Sequence, residues 1–411
     1  MLVQFRAENH RSLRDEQVLS LVAADGLGAD PRLIDVEGLS EALLPAVVIY
    51  GANASGKTNV LHALAFMHSA VRNSHRRWEP GKPPPRNPFA LSEKSSEPCL
   101  YEADIVLGGV HYRYGFVLGT ESIAEEWLYA WSADEKQLWF EREGQRFTFG
   151  KHLSGDNETI RGVTRDNSLF LSAAAQNNHA QISRVFMWFQ SAHFELQRGW
   201  DRLRSSERIL ELYREEGQFE LFESEEARTG RSITRLLRAA DVGILNLGAI
   251  KDQRGRAELQ FLHKTADQKG AWLPLEAESA GTITLLGIAA QVINVLRRGG
   301  LLCIDELEAS LHPTLALELL RMFHDHTHNP RGAQLVVSTH DTNLLGDVMG
   351  EPPLRRDQIW FTEKDDSGAT HLYPLTDFQP QAHENLERGY LQGRYGAIPF
   401  LGTLVAADDE L

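Results

Sequence analysis

Apolar residues in this chain alternate between short continuous runs and helical spacings, which is typical of an α/β protein. The run LPAVVIY at 44–50 predicts a buried parallel strand. A helix is predicted directly after it, because apolar side chains recur at helical spacing between Asn59 and Val71. The second half repeats this alternation, with a helix at 281–296, a strand at 301–304, a helix at 312–326 and a strand at 334–338. We therefore expect a sheet core with packed helices.

Residues 100–149 carry the densest β pattern of the chain. The runs YEADIVL and VHYRYGFVL flank Gly108-Gly109 and predict a hairpin, and three more short strands follow. This pattern indicates an antiparallel sheet beside the core. Further strands are predicted at 2–7, at 17–23, as a pair at 243–263 around the turn 252–255, and as edge strands at 359–362 and 371–374.

Two segments depart from this β pattern. Residues 75–88 (HRRWEPGKPPPRNP) are rich in proline and basic residues and are therefore predicted not to be helical. They are either a solvated surface loop or a flexible contact with an anionic partner. Residues 182–240 return to helical spacing, with Arg and Glu interleaved as on a solvated helical face.

The composition narrows the class of protein. The 411 residues carry a net charge of −15, so contact with DNA or RNA would need a local basic patch. Two cysteines, Cys99 and Cys303, are too few for a disulfide scaffold or a zinc ribbon and agree with a reducing cytosol. The chain shows no signal-peptide pattern and no apolar run of about 18 residues. We expect a cytoplasmic protein without a membrane span.

The segment 51–58 matches the phosphate-binding pattern G-x-x-x-x-G-K-[ST] at every fixed position. Its predicted context, a strand before it and a helix after it, is the one that the pattern requires. Gly51 and Gly56 let the backbone curl so that N–H groups point at phosphate oxygens. The helix N-terminus favours an anion. Lys57 adds a full charge for the β- and γ-phosphates, and the Thr58 hydroxyl is suited to bind Mg²⁺.

A second site pattern follows the strand LLCI. Asp305 directly after it would reach Mg²⁺, and Glu306 would lie near the γ-phosphate, where a carboxylate can act as general base on the attacking water. His340 follows the next strand and is predicted to hydrogen-bond the γ-phosphate. Ser279 and Gly281 open the helix before the acidic strand, which favours equally an anion site and an ordinary helix cap.

In this order the motifs resemble the head of the ATP-binding-cassette (ABC) ATPases. The loop is similar to the G-x-N-x-S-G-K-[ST]-N loop of the SMC and overcoming-lysogenization-defect branch, and the start FRAENHRSL resembles that branch's first strand and Arg/Lys-Ser loop, which points to Arg11. The segments 278–282, 305–313 and 394–402 are similar to stand-alone bacterial AAA/ABC-like ATPases of anti-phage abortive-infection systems. The resemblance adds these nucleotide-binding residues: Asn53, Ala54, Ser55 and Asn59.

The resemblance also implies a dimer. Ser279 and Gly281 take the place of the signature motif that caps ATP held by a second subunit, although Glu278, Ala280 and Thr282 depart from the LSGGQ sequence. Residues 308–312 take the place of the D-loop at the subunit seam. Gln176 looks like the Q-loop glutamine that senses Mg²⁺, with Asn177 or Asn178 as alternatives. The long SMC coiled coil is absent, since no run of heptads occurs.

The expected fold is therefore α/β, a P-loop NTPase of the ABC-ATPase type, with a mixed sheet core, an antiparallel β subdomain and a helical insert. We divide the chain into five segments: 1–74, the first part of the nucleotide-binding core with the phosphate loop; 75–180, the linker and the β subdomain; 181–240, the helical insert; 241–379, the second part of the core; and 380–411, a C-terminal tail.

The expected function is that of an ATPase with ATP and Mg²⁺, which forms a homodimer or a higher even oligomer. No second catalytic constellation occurs in the sequence, so its output would be control of a separate effector protein, such as a nuclease or toxin, in anti-phage defence. One alternative is an SMC-like repair or recombination ATPase that binds DNA directly, through arginines between 202 and 238. Another is a nucleotide-gated scaffold without turnover.

Overall fold

The computed structural model describes residues 1–28, 30–132, 135–196, 234–235, 237–238, 243–251, 257–267, 269–346, 352–381 and 384–399. The turn predicted at 252–255 lies outside these residues, as do most of the predicted helical insert and the end of the tail. Among the helices in the described ranges, none has the length and apolar character needed to cross a bilayer.

A six-stranded mixed sheet forms the centre of the molecule. Its order is β16 (Thr370–Pro374), β15 (Ile359–Lys364), β3 (Ala46–Gly51), β14 (Gln334–Ser338), β13 (Leu301–Ile304) and β9 (His193–Glu195). All neighbours are parallel except β15 and β16. Because parallel strands end at the same edge of a sheet, the residues that follow β3, β13 and β14 lie close together.

Helices cover both faces of this sheet. On one face lie α1 (Lys57–Arg77), α2 (Asn157–Val163), α3 (Phe170–Gln176) and α4 (Ile182–Ser191), which share a core with the alternate strand residues Val47, Ile49 and Cys303. On the other face lie α5 (Ala280–Arg298), α6 (Leu307–Ser310), α7 (Pro313–His324) and α8 (Leu386–Leu391). Their core includes Val48 and Ile304, the intervening positions of the same strands. The continuous apolar runs of β3, β13 and β14 are explained by burial on both faces.

A seven-stranded antiparallel sheet completes the first core. Its order is β2 (Gln17–Ser20), β1 (Leu2–Glu8), β4 (Cys99–Leu107), β5 (Val110–Leu118), β6 (Ile123–Ser132), β7 (Glu135–Glu143) and β8 (Arg146–Phe149). The predicted hairpin is confirmed by β4 and β5, and the three predicted short strands are β6, β7 and β8. The first two strands, which we grouped with the nucleotide-binding core, pair with this sheet, because β1 hydrogen-bonds β4. A third, three-stranded antiparallel sheet contains β10 (Ile244–Lys251), β11 (Ala257–His263) and β12 (Ala271–Pro274).

Four local predictions differ from the structure. Helix α1 extends to Arg77 before the prolines stop it, so the start of the segment 75–88 is helical. Strand β2 ends at Ser20, three residues early. Strand β15 is not an edge strand, since it lies between β3 and β16. His193–Glu195, inside the predicted helical insert, is a strand of the central sheet. The last two differences depend on strand partners far away in the sequence.

Candidate functional site

The loop between β3 and α1 is held at its base by hydrogen bonds to the neighbouring strands β15 and β16. Gly51 and Gly56 have φ of 156° and 114°, and Ala54 at its tip has φ of 64°. The Ser55 hydroxyl lies 2.6 Å from that of Thr362 on β15, and the Thr370 hydroxyl of β16 donates to the Ser55 carbonyl at 2.8 Å. Asn53 and Ala54 are exposed, while Ser55 and Gly56 are buried. The loop therefore has a fixed base and an open tip, as a phosphate cradle requires.

Gly56 is a position where only glycine fits. A Cβ atom there would lie 2.1 Å from Oγ1 and 2.8 Å from Cβ of Thr370, and its φ disfavours any L side chain. We expect Gly56→Ala to reduce stability by about 1–3 kcal/mol and to weaken ATP binding. Thermal melting and calorimetric titration with ATP would measure both effects. Gly162→Ala is the matched control, because a Cβ at Gly162 meets nothing within 4 Å. Equal behaviour of the two variants would contradict this account of the loop.

Lys57 is buried and folds back across its own loop. Its Nζ donates to the carbonyl oxygens of Gly51 at 2.8 Å and Ala52 at 3.1 Å, and lies 2.9 Å from Nε2 of His340. Burial lowers the pKa of Lys57 to about 8, although the neighbouring carboxylates of Glu308, Asp305 and Glu306 oppose this shift. A buried ammonium group with weak neutral partners is suited to receive an anion.

His340 is held next to this ammonium as a neutral ring. An ammonium group only donates, so Nε2 of His340 accepts and its proton lies on Nδ1. Burial, and then the positive charge of Lys57, lower the pKa of His340, which agrees with the neutral form. The backbone N–H of His340 donates to the Glu308 carboxylate at 3.1 Å. The structure therefore brings His340 to the phosphate loop, as the sequence predicts.

Thr58 and Asp305 meet across the sheet edge. Thr58 Oγ1 donates to both carboxylate oxygens of Asp305, at 2.9 and 3.1 Å. The Ser338 hydroxyl also donates to Asp305, and the backbone N–H of Asp305 donates to the Glu195 carbonyl of β9 at 2.9 Å. A hydroxyl beside one carboxylate is a common protein contribution to a Mg²⁺ site, where substrate phosphates and waters supply the remaining ligands.

Glu306 is in a left-handed conformation, with φ of 51° and ψ of 62°. This conformation is uncommon for a residue other than glycine and occurs often at functional sites. Its backbone N–H donates to the Ser338 hydroxyl at 2.9 Å, the same hydroxyl that donates to Asp305. Ser338, which was not among the predicted site residues, thus holds Asp305 and the Glu306 backbone in place.

Arg11 contacts the first turn of α1. Its Nη1 donates to Oδ1 of Asn59 at 3.5 Å, and Asn59 Nδ2 donates to the Ser12 hydroxyl at 2.6 Å. The loop 9–12 itself is anchored, since the Arg11 N–H donates to the Asn87 carbonyl at 2.6 Å. Arg11 and Asn59 therefore lie beside the phosphate loop, with the Arg11 side chain exposed.

Ser279 caps α5, because its hydroxyl accepts from the Thr282 N–H at 3.0 Å. Ser279 and Gly281 are both exposed. Within the described residues, the hydrogen bonds of the Ser279 side chain stay inside this first helical turn. The structure does not bring Ser279 or Gly281 to the phosphate loop of the same chain.

Gln176 also lies far from Thr58 and Asp305, the candidate Mg²⁺ ligands. It is exposed at the end of α3, and Ser172 of that helix accepts from the N–H of His75, near the far end of α1. Thr58 and His75 are 17 residues apart on one helix, about 25 Å, whereas Gln176 is one turn, about 6 Å, from Ser172. The strand that ends beside Asp305 is β9, and the glutamine that follows it in sequence is Gln197, outside the described residues.

These groups fit Mg²⁺ and ATP. The loop has no room for a Cβ atom at Gly51 or at Gly56. A Cβ at Gly51 would lie 2.5 Å from the hydroxyl oxygens of Ser55 and Thr362. No cluster of three or more His, Cys, Asp or Glu side chains suited to a metal occurs in the part of the chain that the structure describes. Mg²⁺ does not need one, since phosphate oxygens serve as ligands. The fold and the glycine loop are those of a P-loop NTPase.

Comparison with known proteins gives the family. The family model described as "AAA domain, putative AbiEii toxin, Type IV TA system" matches residues 46–346, well over half of the chain. The chain therefore belongs to this family of AAA-type domains. A search of the curated proteins finds no match.

Solved structures that are similar to this chain include heads of SMC proteins. They include the SMC head domain from Thermotoga maritima, with 12% identity, 91% of this chain and 98% of that chain covered, and a TM-score of 0.41. A second is an SmcHead bound to the C-winged helix domain of ScpA, with 13% identity, 90% of this chain and 97% of that chain covered, and a TM-score of 0.48. A third is an Smc head from Pyrococcus furiosus, bound to the C-terminal domain of ScpA, with 12% identity, 92% of this chain and 97% of that chain covered, and a TM-score of 0.45. These values are too low to transfer partners or function to this chain.

Proposed function

We propose that this protein binds and hydrolyses ATP with Mg²⁺, forms head-to-head dimers on ATP, and controls a separate effector in bacterial anti-phage defence. One observation carries the ATPase proposal: Lys57, Thr58, Asp305, Glu306 and His340 come from three adjacent parallel strands and meet at one sheet edge.

Each of these groups has a proposed role in hydrolysis. Lys57 would exchange its carbonyl partners for the β- and γ-phosphates, and Thr58 and Asp305 would hold Mg²⁺, which neutralises phosphate charge when bound. Glu306 would accept a proton from the attacking water, and His340 would donate a hydrogen bond to the γ-phosphate. Gln176 lies too far from Thr58 and Asp305 to sense the metal, so we assign that role to no residue of the described part of the chain.

The proposal is tested by phosphate release from ATP. The purified protein should hydrolyse ATP with Mg²⁺, and chelation of Mg²⁺ by EDTA should stop the reaction. If ATP binds tightly and no phosphate is released under any condition, the protein is a nucleotide-gated scaffold and not an ATPase.

The dimer is proposed because one chain does not complete the site. Ser279 is exposed at a helix start and bonds within its own first turn, so its proposed contact with the γ-phosphate requires a second subunit. A two-fold axis would pair each phosphate loop with the other chain's Ser279. The net charge of −15 opposes close approach of two heads. We therefore expect weak dimers without ATP and tighter dimers with it.

Mixing two inactive variants tests the trans arrangement. Lys57→Ala and Ser279→Arg should each be inactive alone. A mixed dimer has one site with both lesions and one intact site, so the mixture should recover part of the ATPase activity. Mixed dimers demonstrated by differential tagging but without recovered activity would contradict independent trans sites.

The effector proposal rests on the sequence, in which we found no nuclease or toxin constellation. A neighbouring gene that encodes a nuclease, and whose product co-purifies with the ATP-bound protein, would support it. The alternative of direct DNA binding depended on arginines of which only Arg235 and Arg238 are described. The guanidinium of Arg238 donates to the Leu245 carbonyl at 2.6 Å. No observation favours that alternative.

A further inference from the structure

Glu308 connects the ends of two strands at the candidate site. It lies on the short helix α6, directly after Asp305 and Glu306. Its Oε2 accepts from the Thr339 hydroxyl at 2.5 Å, and its Oε1 accepts from the backbone N–H of His340 at 3.1 Å. The two donors belong to the turn after β14, so one carboxylate spans from the β13 end to the β14 end.

This contact fixes the turn that carries His340. The ladder between β3 and β14 reaches its end at Thr339, whose N–H donates to the Ile49 carbonyl at 3.1 Å. The next backbone N–H, that of His340, donates to Glu308. Thr339 is fully buried, and its hydroxyl also accepts from the Asp341 N–H at 3.0 Å. Glu308 therefore anchors the backbone of His340, whose ring lies beside Lys57.

We propose that Glu308 is a positioning residue of the ATP site, which holds the Thr339–His340 turn so that the His340 ring stays against Lys57 and the γ-phosphate. This inference rests on the proposed ATPase function. It assigns Glu308 no contact with substrate or metal. It predicts that turnover depends mainly on the two hydrogen bonds, although the charge of Glu308 also favours the protonated form of Lys57.

The hydrogen bonds of Glu308 involve the group proposed for turnover, His340, and do not include the phosphate-binding group, Lys57. Without Glu308, Lys57 keeps its contacts with Gly51 and Ala52 and stays available for phosphate. The His340 ring, in contrast, loses the anchor of its backbone. Loss of Glu308 should thus lower kcat and leave the affinity for ATP nearly unchanged, whereas a merely structural defect would lower both.

A pair of substitutions at this position tests the proposal. Glu308→Ala removes both acceptors and should lower kcat about tenfold to a hundredfold, since small misplacements of an active-site group have effects of that size. Glu308→Gln keeps the two bonds, because its amide oxygen can accept from His340 while its amide nitrogen donates to the Thr339 hydroxyl. It should retain kcat within about threefold of the wild type. Glu318→Ala, on the exposed surface of α7, is the matched control.

Each outcome decides between named alternatives. If Glu308→Gln is as inactive as Glu308→Ala, the charge itself acts, as a base or a metal ligand, and the positioning role is wrong. The role is also wrong if Glu308→Ala keeps wild-type kcat, or if KM and kcat deteriorate together. If the wild type releases no more phosphate than Lys57→Ala, the proposed hydrolysis itself fails, which is a separate result.

Thr339→Val provides a second variant with nearly the same shape. It removes one of the two hydrogen bonds to Glu308 and also the acceptor of the Asp341 N–H, so we expect a loss of kcat in the same direction. Once Glu308 is alanine, removal of the Thr339 hydroxyl should cost less than it does in the wild type, and the two changes should be less than additive. Fully additive effects on kcat would contradict the coupling, and the measurement remains valid if Glu308→Ala melts at a lower temperature.

Discussion

Lys57→Ala abolishes ATP binding, with an expected rise in Kd of at least about a hundredfold, or about 3 kcal/mol. The physical reason is that Lys57 is the buried cation of the phosphate loop, with its Nζ at 2.8 Å from the Gly51 carbonyl. An alanine there would leave no ammonium to meet the phosphates. Isothermal calorimetry with ATP and Mg²⁺ measures the change directly.

The variant should fold. Burial lowers the pKa of Lys57 to about 8, so the protein bears a cost for keeping this cation inside, and the fold does not depend on its charge. Lys151→Ala, at an exposed turn after β8, is the matched control and should bind ATP like the wild type. Unchanged affinity in Lys57→Ala would contradict the assignment of the phosphate loop.

Glu306→Gln is expected to bind ATP with nearly wild-type affinity and to lose turnover by roughly 10²- to 10⁴-fold, the range typical of a positioned general base. The amide keeps the shape of the side chain and cannot take the proton of the attacking water. The left-handed backbone of Glu306 is unaffected, because its N–H bond to Ser338 does not involve the side chain. Single-turnover phosphate release measures the loss.

This variant should also accumulate the ATP-bound dimer, which size-exclusion chromatography with light scattering would detect. Glu318→Gln, an exposed carboxylate on α7, is the control and should behave as the wild type. Hydrolysis by Glu306→Gln at the wild-type rate would show that another group is the base.

The local patterns predicted much of the site, because its motifs are short and continuous. The loop 51–58 places its residues by backbone geometry alone. Asp305, Glu306 and His340 follow buried strands, and parallel strands bring their carboxyl ends together whatever else the fold contains. The helix after Gly56 was visible from its apolar spacing for the same local reason.

Predictions failed where distant partners decide the structure. Gln176, the predicted metal-sensing glutamine, lies at the end of helix α3, which packs against α1. This places Gln176 far from Asp305. The strand β9 has only three residues, and they are extended because they pair with β13. Strands β1 and β2 precede the phosphate loop in sequence but pair with the antiparallel sheet.

The sequence by itself determined the residues of the candidate site: a phosphate loop, an acidic pair and a histidine, each specified by a few consecutive residues whose backbone conformation is local. Only the tertiary structure decided which groups hold that chemistry in place. Glu308 reaches Thr339 and His340 across about 30 residues of chain, and Ser338 joins Asp305 to the Glu306 backbone in the same way. Such contacts form between side chains that only the packed sheet brings together, so no periodicity along the chain can reveal them.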